Sequence, residues 1–328
     1  MRSLRSVILL LMIIFFLIVF SAAVRTSIIF SLNICATVIV PTLFPFFILS
    51  GMLLDFGLAD ILTPAWSAFL AGQICGFPLG TRMVCSLYQK NKLSRTQATS
   101  LLTCTANASP AYVIITLGSA VLKSIESGVI LLICQSITAF LLFLFLVPNK
   151  CTSRSKQSVC VRWIDSLIHN TKNAVEQIFF VCAMTVVFGI ICDVISIFLP
   201  NSILIGLVEI LHGGTTFSKN DLIQLATVLG FSGLCIWTQC IYYIRQTDLP
   251  IFGMIYGKIY SAVTLPLLVC QFTTISIYYK ITALLIIILT NTLTACIIKC
   301  KGCEKNNDFF KRDRKMLRIL RARYKNSL

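Results

Sequence analysis

Long apolar runs are the feature that most limits what this chain can fold into. Each has 18 or more residues and almost no charge, and over the whole chain 57% of residues are hydrophobic and 12% are charged. A helix of that length spans the hydrocarbon core of a bilayer, which is about 30 Å thick. We therefore expect an all-α polytopic integral membrane protein in a lipid bilayer. The runs are residues 7–24, 28–54, 128–147, 179–199 and 281–298.

Positive charge is concentrated in patches outside these runs. The chain has a formal net charge of +16, and its basic residues cluster at Arg2 and Arg5, at 150–172 and at 299–325. Cytoplasmic loops of membrane proteins carry an excess of Lys and Arg, so both termini and the central patch are predicted to be cytoplasmic. No nucleic-acid partner is expected, because no nucleic-acid-binding motif accompanies the charge. The tail is either a basic amphipathic helix on the membrane surface or a solvated segment.

The apolar segments fall into two halves on either side of the central basic patch. We count about eight to ten hydrophobic segments, with re-entrant hairpins and interrupted helices among them. The predicted division is a first membrane half at 1–148, a basic cytoplasmic linker at 149–172, a second membrane half at 173–298 and a basic cytoplasmic tail at 299–328.

Residues 64–88 are predicted to form a re-entrant hairpin. Five apolar segments precede the linker, but an even number of crossings is needed if the N-terminus and the linker are both cytoplasmic. Four crossings remain if residues 64–88 enter the membrane and return, with the GFPLG sequence of residues 76–80 at the tip. The same reasoning applies to residues 203–211, with a predicted tip at Gly213 and Gly214. Non-helical backbone at membrane depth is tolerated only where protein or a water-filled cavity surrounds it.

Each half contains a second interruption after its predicted hairpin. A helix at 101–122 is broken by the TANASP sequence of residues 105–110, and the GFSG sequence of residues 230–233 interrupts the corresponding helix of the second half. Interrupted segments at corresponding places in two halves indicate the central site of a transporter. The spacing between breaks differs between the halves, so the repeat is weak.

The breaks supply the candidate solute-binding residues. Pro110 removes a backbone donor and frees carbonyl groups, and the helix restarting after it would direct N–H groups toward an anion. Glycines allow a close approach of backbone to a solute. The candidates are Gly76, Pro78, Gly80, Thr81, Arg82, Asn107, Ser109, Pro110, Glu209, Gly230, Ser232, Gly233 and Gln239.

Several of these residues have two interpretations. The Asn107–Pro110 sequence is either a solute site or a proline kink with side chains bonded to the local backbone. Arg82 is either the counter-ion of an anionic solute or a residue that reaches an interface. Glu209 is either a carboxylate that couples transport to a proton or Na⁺, or a residue at a water interface. His212 is expected to be a polar loop residue.

No metal, cofactor or catalytic site is expected. The only Cys-x-x-Cys pair, Cys300 and Cys303, has no second such pair or histidine near it. The GFSG sequence fits the pattern of intramembrane serine proteases of the rhomboid type, but their base is a histidine on a later helix. The only histidines, His169 and His212, precede Ser232, so no enzyme is predicted.

Five ordered motifs resemble the sporulation integral membrane proteins of the YlbJ type, which belong to the nucleoside-recognition or Gate-domain group. The resemblance covers roughly residues 20 to 275. The motifs are PTLFPFFILS at 41–50, GFPLG at 76–80, NASPAY at 107–112, VEI at 208–210 with Gly213, and GFSGLCIWTQ at 230–239 followed by Lys258.

The resemblance implies an inner-membrane protein related in architecture to concentrative nucleoside transporters and linked to passage of dipicolinic acid into the forespore. We therefore expect transport of a small organic anion, dipicolinate, in the cell membrane. The alternative is a non-transporting Gate-type subunit or spore maturation factor that acts through other sporulation membrane proteins. A homo-oligomer is compatible with both. Ser232 and Trp237 differ from the residues that are common in the family, and the basic tail is not a family feature.

Overall fold

Helices account for all the regular structure that is described. The computed structural model describes residues 2–148, 162–214 and 216–272, together with residues 282, 286, 287 and 290. No strand occurs among these residues, so the predicted all-α fold is confirmed. Most of the predicted linker, most of the last apolar run and the whole basic tail with Cys300 and Cys303 lie outside the described residues.

The first half begins with a long helical stretch and continues with a hairpin and a broken helix. Its elements are α1 (Arg2–Val19), α2 (Ser21–Ile34), the wide helical stretch π1 (Cys35–Ile39), α3 (Val40–Asp55), α4 (Leu58–Ile61), α5 (Pro64–Ile74), α6 (Leu79–Gln89), α7 (Arg95–Leu101), the wide helix π2 (Tyr112–Val121) and α8 (Ile125–Leu146).

The second half follows the same order of long helix, hairpin, broken helix and spanning helix. Its elements are α9 (Trp163–Phe198), α10 (Ser202–Val208), α11 (Ile210–Gly214), α12 (Leu222–Phe231), α13 (Gly233–Ile244) and α14 (Phe252–Val269). Corresponding helices of the two halves pack together, α3 against α9 and α8 against α14, and arm α6 of the first hairpin packs against α13.

Five helices of the described chain are long and apolar enough to cross a membrane. Each contains a window of 18 residues with high hydropathy and at most two charges, and each exposes some large apolar side chains. A surface of that kind is stable in lipid, where the helix satisfies its own backbone hydrogen bonds. The chain is therefore a multi-pass membrane protein. The helices are Val24–Asp55, Ile125–Leu146, Trp163–Phe198, Leu222–Ile244 and Phe252–Phe272.

Glycines allow the two arms of each hairpin to touch. A Cβ on Gly80 would lie 2.7 Å from the Cα of Gly72 on the other arm and 2.0 Å from the carbonyl oxygen of Thr105. In the second half, a Cβ on Gly213 would lie 2.2 Å from the Cα of Gly206. Real Cβ atoms do not approach backbone atoms so closely, so each pair of arms is packed backbone against backbone.

Two element boundaries differ from the prediction. Helix α1 ends at Val19, and α2 runs through the predicted boundary near residue 25, so the break lies at Phe20. The second hairpin is interrupted at Glu209, whereas Gly213 and Gly214 are helical in α11. Gly213 allows the close contact with Gly206 of α10, whereas a Cβ on Gly214 would meet only the Leu117 side chain, at 3.6 Å.

Pro41 and Pro45 do not end the helix that contains them. Residues 24–55 form one continuous helix, and the wide stretch π1 immediately precedes the prolines. A proline lacks the N–H that would bond the carbonyl four residues earlier, and a wider turn accommodates that missing bond. The hydroxyl of Thr42 donates to the Val38 carbonyl at 2.6 Å and supplies a donor in the same turn.

Candidate functional site

A small cavity lies where the interruptions of both halves meet. It has a volume of about 40 Å³, which is room for a few water molecules. Its wall includes residues at three of the four breaks, Phe77 in the first hairpin, Ser109 in the first broken helix and Glu209 in the second hairpin, together with Gln239 of α13, the helix that follows the fourth break. We call it the central cavity. The rest of its wall is Val38, Ile39, Thr42, Leu43, Tyr112, Val181, Thr185, Ile210, Leu211 and Ile236.

The first hairpin and the first broken helix are joined at their breaks. The backbone N–H of Phe77 donates to the Asn107 carbonyl at 2.6 Å. Gly76 has a φ of 74°, and a Cβ there would lie 2.5 Å from the backbone nitrogen of Ser109. A residue with a side chain would be strained at this φ and would push the two breaks apart, so glycine is required at this position. Two stretches of non-helical backbone thus support each other inside the protein.

Side chains form hydrogen bonds with buried backbone groups at the break of the first broken helix, around residues 102–110. The Gln135 amide bonds both backbone groups of Ala108, donating to its carbonyl at 2.9 Å and accepting from its N–H at 3.3 Å. The Asn107 amide donates to the Cys104 carbonyl at 2.7 Å, and the Ser109 hydroxyl accepts the N–H of the first residue of π2 at 3.3 Å. Asn107 therefore bonds the local backbone, whereas Ser109 both caps π2 and lines the central cavity.

Glu209 forms the interruption of the second hairpin and is buried. Its backbone is extended, with φ −142° and ψ 116°, and its side chain is 2% exposed. One carboxylate oxygen accepts a hydrogen bond from the backbone N–H of His212 at 2.7 Å and lies 3.3 Å from the ring nitrogen Nδ1 of the same residue. A buried carboxylate requires such partners, because an isolated charge in a protein interior is very unfavourable. Glu209 therefore lines the central cavity and does not lie at an exposed interface.

Lys258 connects the two broken helices. Its side chain is 4% exposed, and its ammonium donates to the Ser232 hydroxyl at 2.8 Å and to the Ala106 carbonyl. Ser232 has a φ of 69° and Gly233 a φ of 77°, which is the left-handed conformation at the break between α12 and α13. The Lys258 ammonium therefore links the break of the first broken helix to the break of the second. In the sequence Lys258 stands out only as part of a motif, although a lysine inside an apolar run is itself a signal of function.

Ser232 is held by two hydrogen bonds. The Lys258 ammonium donates to its oxygen at 2.8 Å, and its own hydroxyl donates to the Leu229 carbonyl at 3.0 Å.

The remaining candidate residues lie in several different places. Thr81 is fully buried beside Cys240, Gly80 packs on the Thr105 carbonyl, and a Cβ on Gly230 would lie 2.3 Å from the Ser261 carbonyl oxygen. Pro78 precedes α6, and Pro110 lies just before π2. Arg82 does not line the central cavity.

No protein-family model matches the chain, and no curated protein and no solved structure is significantly similar to it. The resemblance to YlbJ-type proteins accordingly rests on the five motifs alone. Within the described residues, no group of three or more His, Cys, Asp or Glu side chains is placed to hold a metal ion.

Proposed function

We propose that the chain is a transporter-like protein of the cell membrane that carries a small organic anion, dipicolinate, into the forespore. The observation that carries this proposal is the convergence of three breaks, one in each hairpin and one in the first broken helix, on the central cavity, with α13 completing its wall. Irregular backbone inside a membrane protein occurs where it lines a cavity, and paired interrupted helices surround the solute site of many transporters.

Two buried charged side chains, Lys258 and Glu209, suggest an anionic solute coupled to a cation. The Lys258 ammonium lies at the junction of the two broken helices and does not line the central cavity. The Glu209 carboxylate lines the cavity and would repel an anion unless it takes up a proton or a sodium ion. In this proposal Glu209 is the coupling group, and the solute and the cation enter together.

Transport requires the central cavity to widen. Its volume of about 40 Å³ is far below the roughly 300–1,000 Å³ of pockets that hold small molecules. The hairpins α5–α6 and α10–α11 both contribute residues to its wall, so displacement of either one would enlarge it. The structure would then correspond to a closed state of the transport cycle.

Uptake of labelled pyridine-2,6-dicarboxylate into liposomes that contain the purified chain tests the proposal. We expect saturable uptake that is strongly reduced by Gln239→Ala and by Glu209→Gln. The matched control is Gln224→Ala, because Gln224 is an exposed residue of α12 away from the central cavity. Uptake equal to that of protein-free liposomes, with correctly folded protein present, would refute transport.

A second candidate is a non-transporting Gate-type subunit or maturation factor that acts through another membrane protein. The small size of the central cavity favours it, since no organic solute fits there without a conformational change. This candidate predicts no uptake in liposomes and a membrane protein of the sporulating cell that co-purifies with the chain in a fixed ratio. A chain that purifies alone and transports solute would exclude it.

Both candidates share the proposed topology, in which the two termini face the cytoplasm. Reporter fusions at each terminus, one active only in the cytoplasm and one active only outside it, test this orientation. Activity of the external reporter at either end would contradict it.

A further inference from the structure

A larger cavity lies apart from the central cavity. It has a volume of about 240 Å³, and no residue lines both cavities. Its wall comes from the end of α3, from both arms of hairpin α5–α6 and from the first turns of α9. We call it the outer cavity. Its volume is close to that of pockets that hold small metabolites.

The wall of the outer cavity carries more unneutralised positive than negative charge. Arg82 and Lys90 line it, and Asp55 is the one carboxylate in its described wall. The Asp55 carboxylate is already engaged on the protein, because one oxygen accepts the Ser166 hydroxyl at 2.8 Å and the Asn170 amide at 2.8 Å. It forms no ion pair with either cation among the described residues. Both cations therefore face the cavity without an internal counter-ion.

Arg82 is held in the wall without an acceptor of its own. Its side chain is partly buried in α6, close to Tyr243, and within residues 2–148, 162–214 and 216–272 its guanidinium makes no hydrogen bond or ion pair. A guanidinium has five N–H donors in a planar fork that fits one carboxylate with two parallel bonds. A partly buried fork that opens on a cavity is suited to a carboxylate from outside the protein.

Polar uncharged groups complete the wall. Ser86, Asn170 and Asn173 line the cavity, and the Asn173 amide nitrogen lies 3.0 Å from His169 Nε2. They offer donors and acceptors to a ligand that is bound through its charges.

We propose that the outer cavity binds a small organic dianion with two carboxylates, one on the Arg82 guanidinium and the other near the Lys90 ammonium. The basic residues that mark the cytoplasmic side lie next to this cavity in sequence, at 90–95 and 162–172. The outer cavity is therefore the cytoplasmic waiting site of the solute, distinct from the central cavity. The choice of a dicarboxylate rests on the proposed function, whereas the anion site itself rests on the geometry.

Calorimetric titration of the full chain in detergent micelles tests the site. The probes are pyridine-2,6-dicarboxylate, pyridine-2-carboxylate with a single carboxylate, and inorganic phosphate. We expect the dicarboxylate to bind most tightly, and Arg82→Gln to weaken it by about tenfold or more, as expected for loss of a charge-assisted bidentate pair. Arg82→Lys keeps the charge without the planar fork, so its affinity for the dicarboxylate should lie between those of the wild type and of Arg82→Gln.

The matched control is Arg245→Gln, which removes an exposed arginine that does not line the outer cavity. Unchanged dicarboxylate binding by a folded Arg82→Gln protein would overturn the proposal, and a preference for phosphate would overturn the choice of carboxylates. Thermal unfolding of each variant shows whether it is folded. If wild type binds the dicarboxylate through Arg82 but gives no uptake in liposomes, the outer site stands and the proposed transport fails. If uptake occurs and Arg82→Gln binds the dicarboxylate normally, the proposed transport stands and the outer site fails.

Discussion

Replacing Gln135 by leucine should loosen the first broken helix. Gln135 lies in α8, is 4% exposed, and is the side chain that pairs both backbone groups of Ala108. Leucine has a similar size but no polar atoms. The variant therefore keeps most of the packing and leaves one buried N–H and one buried carbonyl without their partner.

The expected loss of stability follows from these two bonds. An unpaired buried backbone group costs about 1–3 kcal/mol, which sets an upper limit of about 6 kcal/mol for the pair. Hydrogen bonds between membrane helices average about 0.6 kcal/mol in measured cases, which sets a lower limit of about 1 kcal/mol. We expect about 2–4 kcal/mol, because Ala108 lies in an irregular segment that has no helical partner to replace Gln135. Such a loss raises the unfolding equilibrium constant by roughly 30-fold to 1,000-fold.

Unfolding by a denaturing detergent, followed by circular dichroism, measures this loss. Gln224→Leu is the matched control, because Gln224 is exposed and its side chain makes no hydrogen bond within the described part of the chain. We expect the control to change stability by less than about 0.5 kcal/mol. Equal stability of the Gln135 and Gln224 variants would show that Ala108 does not depend on the amide pair.

Three further predictions concern packing, charge and burial. Gly80→Ala places a Cβ 2.0 Å from a backbone oxygen and should lower the thermal midpoint by several degrees, whereas Gly214→Ala, with its nearest atom at 3.6 Å, should not change it. The Ser218 N–H and hydroxyl hold the pKa of the Asp221 carboxyl below its ordinary value. This contribution is therefore present above the pKa of the unfolded state and lost as pH falls through the lower folded value, so Asp221→Asn should lower stability at pH 7 and have a progressively smaller effect in acid. Cys104 is 1% exposed and should react with an aqueous maleimide much more slowly than the partly exposed Cys270, which lies near the end of the span Phe252–Phe272; equal rates would contradict its placement.

Breaks caused by the local sequence were predictable. Gly76 and Pro78 interrupt the first hairpin, and Pro110 precedes π2, because these residues disfavour a helix whatever surrounds them. The break at Glu209 has no such residue. There the Glu209 carboxylate accepts the backbone N–H of His212 and caps the start of α11, a role for which Glu is not among the preferred residues.

Glycines and charges were harder to interpret from the sequence. Gly213 and Gly214 resemble a turn, but Gly213 is helical and serves the contact with Gly206, which requires knowledge of the neighbouring arm. Likewise, no local pattern shows that Lys258 reaches Ala106, 152 residues earlier in the chain. Tertiary contacts decide the roles of these residues, and sequence spacing alone does not encode them.

The glycine contacts within the hairpins also limit how this protein can diverge in evolution. Gly72 meets Gly80 and Gly206 meets Gly213 with no space for a methyl group, whereas lipid-facing residues can exchange freely among apolar types. Descendants of this chain can lose nearly all recognisable identity in the helices and still keep a small residue at these four positions. Two glycines separated by eight residues in one hairpin and by seven in the other are thus a sparse signature by which distant relatives can be found.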